Sequence, residues 1–410
     1  MKKRLLLIVV LLLKGMSSLE AETNVMKWKP YGFVRNFFCY DSRKSLRSSG
    51  EMFNMIPLDR NLNKYGDDLN QTGDVSFLAI TSRLGINVSG MQFMNADLSG
   101  KIEADFNGFS GSTTMLRLRQ AFMQLKWQHS RVVIGQTWHP ITEYVTPDVF
   151  SLASGSPFNP FSRSPQVRYD YEWKRFICTA AALYQFQYTS PGPEGYSAEY
   201  AKNAIVPELF FSTAYSHQDI TLGFGVDYLE LRPRTTSLDN QNVKVKVSDR
   251  VRSISPIVFA NYTSGLFSLK SKLTYANNTG QLFMMSGYGV TGQHPDGSYD
   301  YAPLRSYVVC GTASYGKKIR TTLFGGYMKN RGMSKSLLSE DLLYVRGYKN
   351  IDRMWRWAPS VSYNLPYLNL GFEYESTSVA YGDKIEVNAT VSQTHTVTNH
   401  RLCFMVKYSF

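Results

Sequence analysis

The chain has 410 residues, 43% apolar, 14% aromatic and only 19% charged, and its 45 Lys and Arg outnumber its 32 Asp and Glu to leave a net +13. That aromatic load excludes a disordered chain, and four cysteines make no disulfide framework. Beyond residue 21 no run approaches the ~20 apolar residues of a spanning helix, which excludes a helical membrane protein. In chain order, Lys2, Lys3 and Arg4 precede an apolar stretch from Leu5 to Leu13, and Ser17 to Ala21 ends in a small residue. This pattern predicts a secretory signal over 1–21, removed from a barrel of 22–410. No Cys stands at the cleavage point, so no lipid anchor is expected. Removing four cations and one anion leaves the basic excess in place.

The rest of the chain alternates with period two. Leu78, Ile80, Leu84, Ile86 and Val88 are read as one face, opposite Thr81, Arg83 and Asn87; Leu98, Ile102, Ala104 and Phe106 oppose Lys101, Glu103 and Asp105. Val167, Tyr169, Tyr171 and Trp173 oppose Arg168, Asp170 and Glu172, and the pattern returns around Lys270, Lys272, Arg356 and Glu373. One apolar and one polar face describe a sheet between lipid and water. Segments of about ten residues are long for a soluble sandwich and long enough to cross a bilayer at a tilt. The reading is all-β: a transmembrane antiparallel barrel of about 16 strands, near 31–41, 75–90, 97–107, 114–127, 130–137, 165–172, 175–188, 205–216, 219–232, 246–263, 266–277, 305–315, 318–330, 351–364, 367–381 and 395–410. Connections alternate between short turns and long loops such as 42–74, 138–164, 278–304 and 382–394, and closure leaves no backbone group unpaired in lipid. Two places resist the pattern. Arg117 and Arg119 share parity with Ala121, Met123 and Leu125, so either a bulge near Gln120 flips the face or the arginines lie above the hydrocarbon. Arg250 and Arg252 raise the same question beside Ile254 and Val258.

A barrel of this size leaves an aqueous channel unless something fills it. The connection 138–164 is expected to fold inward as the constriction, because its proline and aromatic content would aggregate if solvated. It would present Trp138, His139, Glu143, Tyr144 and Asp148. The expected pore lining is Arg35, Arg83, Lys101, Glu103, Asp105, Arg117, Arg119, Arg168, Asp170, Lys270, Lys272 and Arg356, with Arg401 beside them, and Arg83, Arg117, Arg119 and Arg168 as a basic wall. Confined arginines and lysines favour anions. Each could instead be a solvated charge paired with a neighbouring Asp or Glu. Part of the basic excess, for example Arg43, Lys44 and Arg47, is assigned to lipopolysaccharide phosphates. The six histidines are scattered without metal-ligand spacing, so no metal and no cofactor is expected. No nucleophile–base pattern suggests an enzyme, and no partner nucleic acid is expected. Cys310 and Cys403 could both face water, but pairing cannot be read from sequence.

The final segment from Arg401 to Phe410, apolar at each even position and ending on Phe, looks like an outer-membrane barrel assembly signal. The stretch Lys29 to Arg43, with Thr81 to Gly85, Lys101 to Phe106, Leu116 to Ala121, Ile134 to Trp138 and Ser164 to Arg168, resembles DcaP-like outer-membrane porins, most densely over 29–170. The resemblance implies a trimeric barrel of about 16 strands in the outer membrane of a Gram-negative bacterium, with some members taking up small anions such as dicarboxylates. The expected function is passive diffusion of small hydrophilic, preferably anionic, solutes. Its alternative is an adhesin or structural barrel with a blocked lumen.

Overall fold

The computed structural model describes residues 25–48, 53–110, 113–143, 145–150 and 154–410; the expected signal segment and Tyr144 lie outside the described residues. Among the described residues, sixteen antiparallel strands close into one barrel. They are β1 (Lys27–Asp41), β2 (Asp74–Leu78, continuing as Arg83–Phe93), β3 (Ala96–Ser110), β4 (Thr113–Lys126), β5 (Ser130–Trp138), β6 (Arg163–Trp173), β7 (Phe176–Leu183) and β8 (Glu208–His217). The second half is β9 (Ile220–Leu231), β10 (Val251–Ser264), β11 (Phe267–Asn277), β12 (Arg305–Gly316), β13 (Ile319–Gly332), β14 (Ile351–Asn364), β15 (Leu368–Ile385) and β16 (Val391–Ser409). Among the described residues no helix is long and apolar enough to cross a membrane; the barrel crosses with strands.

Alternation is visible along β10 and β16. On β10, Ser253, Ser255, Ile257 and Phe259 are buried while Ile254 and Val258 are exposed. On β16, Cys403 and Met405 point in, and Leu402, Phe404 and Tyr408 point out. So continuous an apolar exterior belongs in lipid, because a water-facing monomer rarely exposes such an area. The chain is a membrane-spanning β-barrel. Short turns gather at one end. Met94 and Asn95, at φ 52 and 58, give a two-residue turn whose twist suits a hairpin.

The barrel closes where β1 meets β16, from Phe33 opposite Ser409 to Asp41 opposite Arg401. Beyond that ladder, the amides of Gly32 and Phe410 each donate to the other's carbonyl at 3.0 Å. A Cβ at Gly32 would stand 2.7 Å from the Phe410 ring, so glycine is what lets the terminal aromatic lie on the first strand. Cys39 and Cys403 face one another across the same seam with Cα atoms 4.3 Å apart and are joined by a disulfide. The spacing is that of a non-hydrogen-bonded antiparallel pair.

Some expectations do not survive the strand register. Leu78 and Ile80 do not share a face with Leu84 and Ile86. β1 pairs Phe37 with Leu78 and Phe33 with Arg83, so β2 carries one extra residue in that interval. A tight turn there, with the Ser82 amide donating to the Ala79 carbonyl at 3.0 Å, reverses the parity. Leu78 packs inward on Phe37, Cys39 and Met405. The expected long loop 382–394 is mostly ladder, since β15 and β16 pair out to Ile385 and Val391. The open question at β4 resolves as a bulge: Glu103 pairs with Gln120 and Ala104 with Leu118, which leaves Arg119 as the extra residue. Arg119 and Gln120 are then both buried on the inward side. Arg252 stays on the outward parity. It sits at the long-loop end of β10, where Glu230 accepts from its Nε at 3.0 Å; Arg250 also pairs with Glu230.

Candidate functional site: the basic inward face and the segment that crosses to it

Strands β1 to β4 place a band of charge on the inward face. Glu103 accepts from Tyr31 Oη at 2.7 Å, Arg119 Nε at 3.0 Å, Gln120 Nε2 at 3.1 Å and Arg83 Nη1 at 3.3 Å, with Lys101 Nζ at 3.7 Å. Asp105 takes two parallel bonds from Arg117 (3.0 and 2.8 Å) and one from Arg119 Nη1 at 2.6 Å. Such forked pairs fix the guanidinium planes and cancel part of the charge. Arg35 is different. It bonds the hydroxyl of Thr81 at 3.1 Å and lies over the rings of Phe33 and Phe37. Arg83 and Lys407 approach the same Phe33 ring, at 5.1 and 5.4 Å. Among the described residues neither Arg35 nor Lys407 forms an ion pair. Two carboxylates thus face six cations: Arg35, Arg83, Lys101, Arg117, Arg119 and Lys407.

The segment after β5 reaches the other walls. Glu143 pairs with Arg168, which also bonds Asp170 at 2.8 Å, while Arg131 reaches Asp170 at 2.7 Å. Asp148 receives Lys270 Nζ at 2.8 Å and Arg320 Nη2 at 3.0 Å. The Phe150 amide donates to Glu373 at 2.9 Å, and Phe158 packs on Phe324. Trp138 meets Phe161 edge to face at 5.1 Å. Both carboxylates expected to face the solute, Glu143 and Asp148, are therefore engaged by wall cations. A cavity of about 250 Å³ lies between Arg35, Arg83 and Arg119 on one side and Val149, Phe150, Ser154 and Phe161 of the segment on the other.

Two expected lining residues do not meet water. Lys272 and Arg356 point inward but are covered, at 1% and 3% exposure. Lys272 Nζ donates to the Ile141 carbonyl at 2.6 Å and to Asn159 Oδ1 at 2.9 Å. Arg356 donates to the carbonyls of Ser156, Asn54 and Met55 and lies 3.3 Å from Glu375. They bind backbone because a buried guanidinium or ammonium needs every donor answered. Arg43 and Arg47 are likewise not offered to lipopolysaccharide. Arg43 is buried against Asp68 at 2.7 Å, and Arg47 reaches Asp41 and Asp74; Lys44 is exposed. Lys407, Arg320 and Phe33 were not among the expected lining residues. The polar parity of their strands marked Lys407 and Arg320, whereas nothing marked Phe33 as the ring beneath three cations.

Residues 17–177 match the family model described as DcaP outer membrane protein. Among solved structures, the chain is similar to the outer membrane channel DcaP of Acinetobacter baumannii, at 17% identity and TM-score 0.68, with 95% of this chain and 99% of that one covered. It is similar to OmpT of Vibrio cholerae in a trimer form, at 12% identity and TM-score 0.56, covering 94% and 100%. No curated protein matches the sequence.

Proposed function

We propose that this barrel, whose fold is that of an outer-membrane channel and whose residues 17–177 carry the DcaP family match, is a porin for passive diffusion of small hydrophilic solutes with a preference for anions. The observation that carries this reading is the cation excess around the cavity: Arg35 and Lys407 lack carboxylate partners among the described residues, beside an opening narrowed by Phe150 and Phe161. In a confined, low-dielectric passage, a surplus of fixed positive charge lowers the entry cost for anions and raises it for cations. The segment after β5 supplies the constriction, and its wall contacts hold the narrowing in place. We assign the same barrel to a homotrimer, which the trimer form of the Vibrio cholerae relative supports.

The test is planar-bilayer recording with a salt gradient. Stepwise conductance with a reversal potential on the anion side is expected; cation selectivity would defeat the basic-wall assignment. A second reading, a structural or adhesive barrel with a filled lumen, is favoured by one observation. Phe53, Phe161, Phe283 and Tyr188 form an aromatic cluster where four loops meet inside the wall. Liposome swelling separates the two, since a filled barrel gives no flux of small sugars or carboxylates.

A further inference from the structure

His139, Glu208 and Asp227 come from three places: the residue after β5, the first residue of β8, and the inward side of β9. All three are buried, and their ligand atoms lie within 4.8 Å of one another. His139 Nε2 is 3.5 Å from Glu208 Oε1 and 3.7 Å from Asp227 Oδ1. Both separations are too long for hydrogen bonds. They are close to the spacing of two atoms sharing one ion at bonds of ~2.0–2.2 Å. Among the described residues, neither His139 Nε2 nor Asp227 Oδ1 has a hydrogen-bond partner, although both are buried. Among the described residues, no Arg or Lys pairs with either carboxylate. Two buried carboxylates with no guanidinium or ammonium partner call for a compensating cation.

We propose that these three side chains form a divalent transition-metal site tying the start of the crossing segment to the barrel wall. One M²⁺ offsets both carboxylates, and an imidazole with two carboxylates suits Zn²⁺ better than Mg²⁺ or Ca²⁺. A surrounding contact is already built: Gln281 Nε2 donates to Glu208 Oε1 at 2.7 Å and orients that carboxylate. His139 Nδ1 accepts the Ile141 amide at 3.2 Å. Coordination at Nε2 places the ring proton on Nδ1, so this contact opens and the turn Pro140–Glu143 rearranges as the ion enters. The site does not depend on which solutes the barrel passes.

The experiment uses the full barrel in detergent, stripped with chelator, dialysed against Zn²⁺ in excess Mg²⁺ and measured for bound metal. One Zn²⁺ per chain is expected. Asp227→Asn and Glu208→Gln should each weaken retention by at least the roughly tenfold seen when metal-site partners are removed. His294→Ala, at an exposed outer histidine beside Asp300, should leave it unchanged. Co²⁺ substitution in the unmutated barrel should give ligand-field bands, so the proposal remains testable even if a variant misfolds. Absence of bound Zn²⁺ and of Co²⁺ bands in the unmutated barrel would mean that a shared proton serves in the ion's place, and would overturn the site. Full Zn²⁺ retention by a folded Asp227→Asn barrel would overturn it as well.

Discussion

Lys272, on β11, donates to Asn159 Oδ1 at 2.9 Å across the interior of the barrel. The same ammonium holds the Ile141 carbonyl, so a single wall residue grips the crossing segment near both ends. Replacing Lys272 by Met keeps the length and leaves two buried acceptors unanswered, at about 1–3 kcal/mol each. We expect Lys272→Met to give a folded barrel with larger, noisier single-channel conductance and a lower unfolding temperature in detergent. Unchanged conductance would show that the segment keeps its place without this grip.

The cations of the inward face are not equivalent, and selectivity should report it. Arg168 is compensated by Glu143 and Asp170, whereas Arg35, among the described residues, bonds a hydroxyl and lies over aromatic rings without a carboxylate ion pair. Arg35→Ser, alone or with Arg83→Ser, is expected to move the reversal potential toward cations. Arg168→Ser should move it much less and should instead release Glu143. Equal shifts from Arg35 and Arg168 would show that pairing does not govern the field in the passage.

This inequality marks where the sequence stops being informative. Period two is enforced by lipid on one side, so outward residues such as Leu84, Ile254 and Phe404 could be placed from parity alone. Parity breaks where a strand gains a residue. At Arg119 the break announced itself, because two arginines fell among apolar neighbours; at Ala79 to Ser82 no charge was misplaced and the shift left no trace. Burial of Lys272 and Arg356 was illegible for another reason. It depends on where the 138–164 connection lies, and that path is set by contacts to distant strands such as Ser156 to Arg356. The His139 cluster shares this origin, since its three members meet only once β5, β8 and β9 are curved into one wall.

Asp148 is held by Lys270 and Arg320 on two strands. Asp148→Asn removes the compensating charge but keeps the size of the side chain. Two cations are then left facing the interior, so the reversal potential should move further toward anions. An unchanged reversal potential would place Asp148 out of reach of the permeating ions.

The first outer connection should resist acid. Burial works against the charged form of Asp68, yet the Asn61 and Asn70 amides, both at 3.0 Å, and the Arg43 guanidinium at 2.7 Å hold its carboxyl below the ordinary range. A depressed folded value means the contribution is present above the unfolded value, near 3.9, and is lost as pH falls through the lower folded one. Hydrogen exchange across 58–73, corrected for the intrinsic pH dependence of amide exchange, is therefore expected to stay flat down to about pH 4 and to rise below it. In Asp68→Asn, exchange should be fast at every pH. A rise already near neutrality in the unmutated barrel would exclude Asp68 as the anchor.

The Cys39–Cys403 bond lies on the β1–β16 seam, the one ladder that joins the two ends of the chain. Cys178, exposed on the outward face, and buried Cys310 are free thiols. Alkylation of the denatured, unreduced protein should therefore modify Cys178 and Cys310 only, and all four cysteines after reduction. Because a cross-link mainly restricts the unfolded chain, by about 2–4 kcal/mol, reduction should lower the unfolding temperature while the barrel stays closed through its backbone ladder. Four reactive thiols before reduction would show that the seam holds on backbone hydrogen bonds alone.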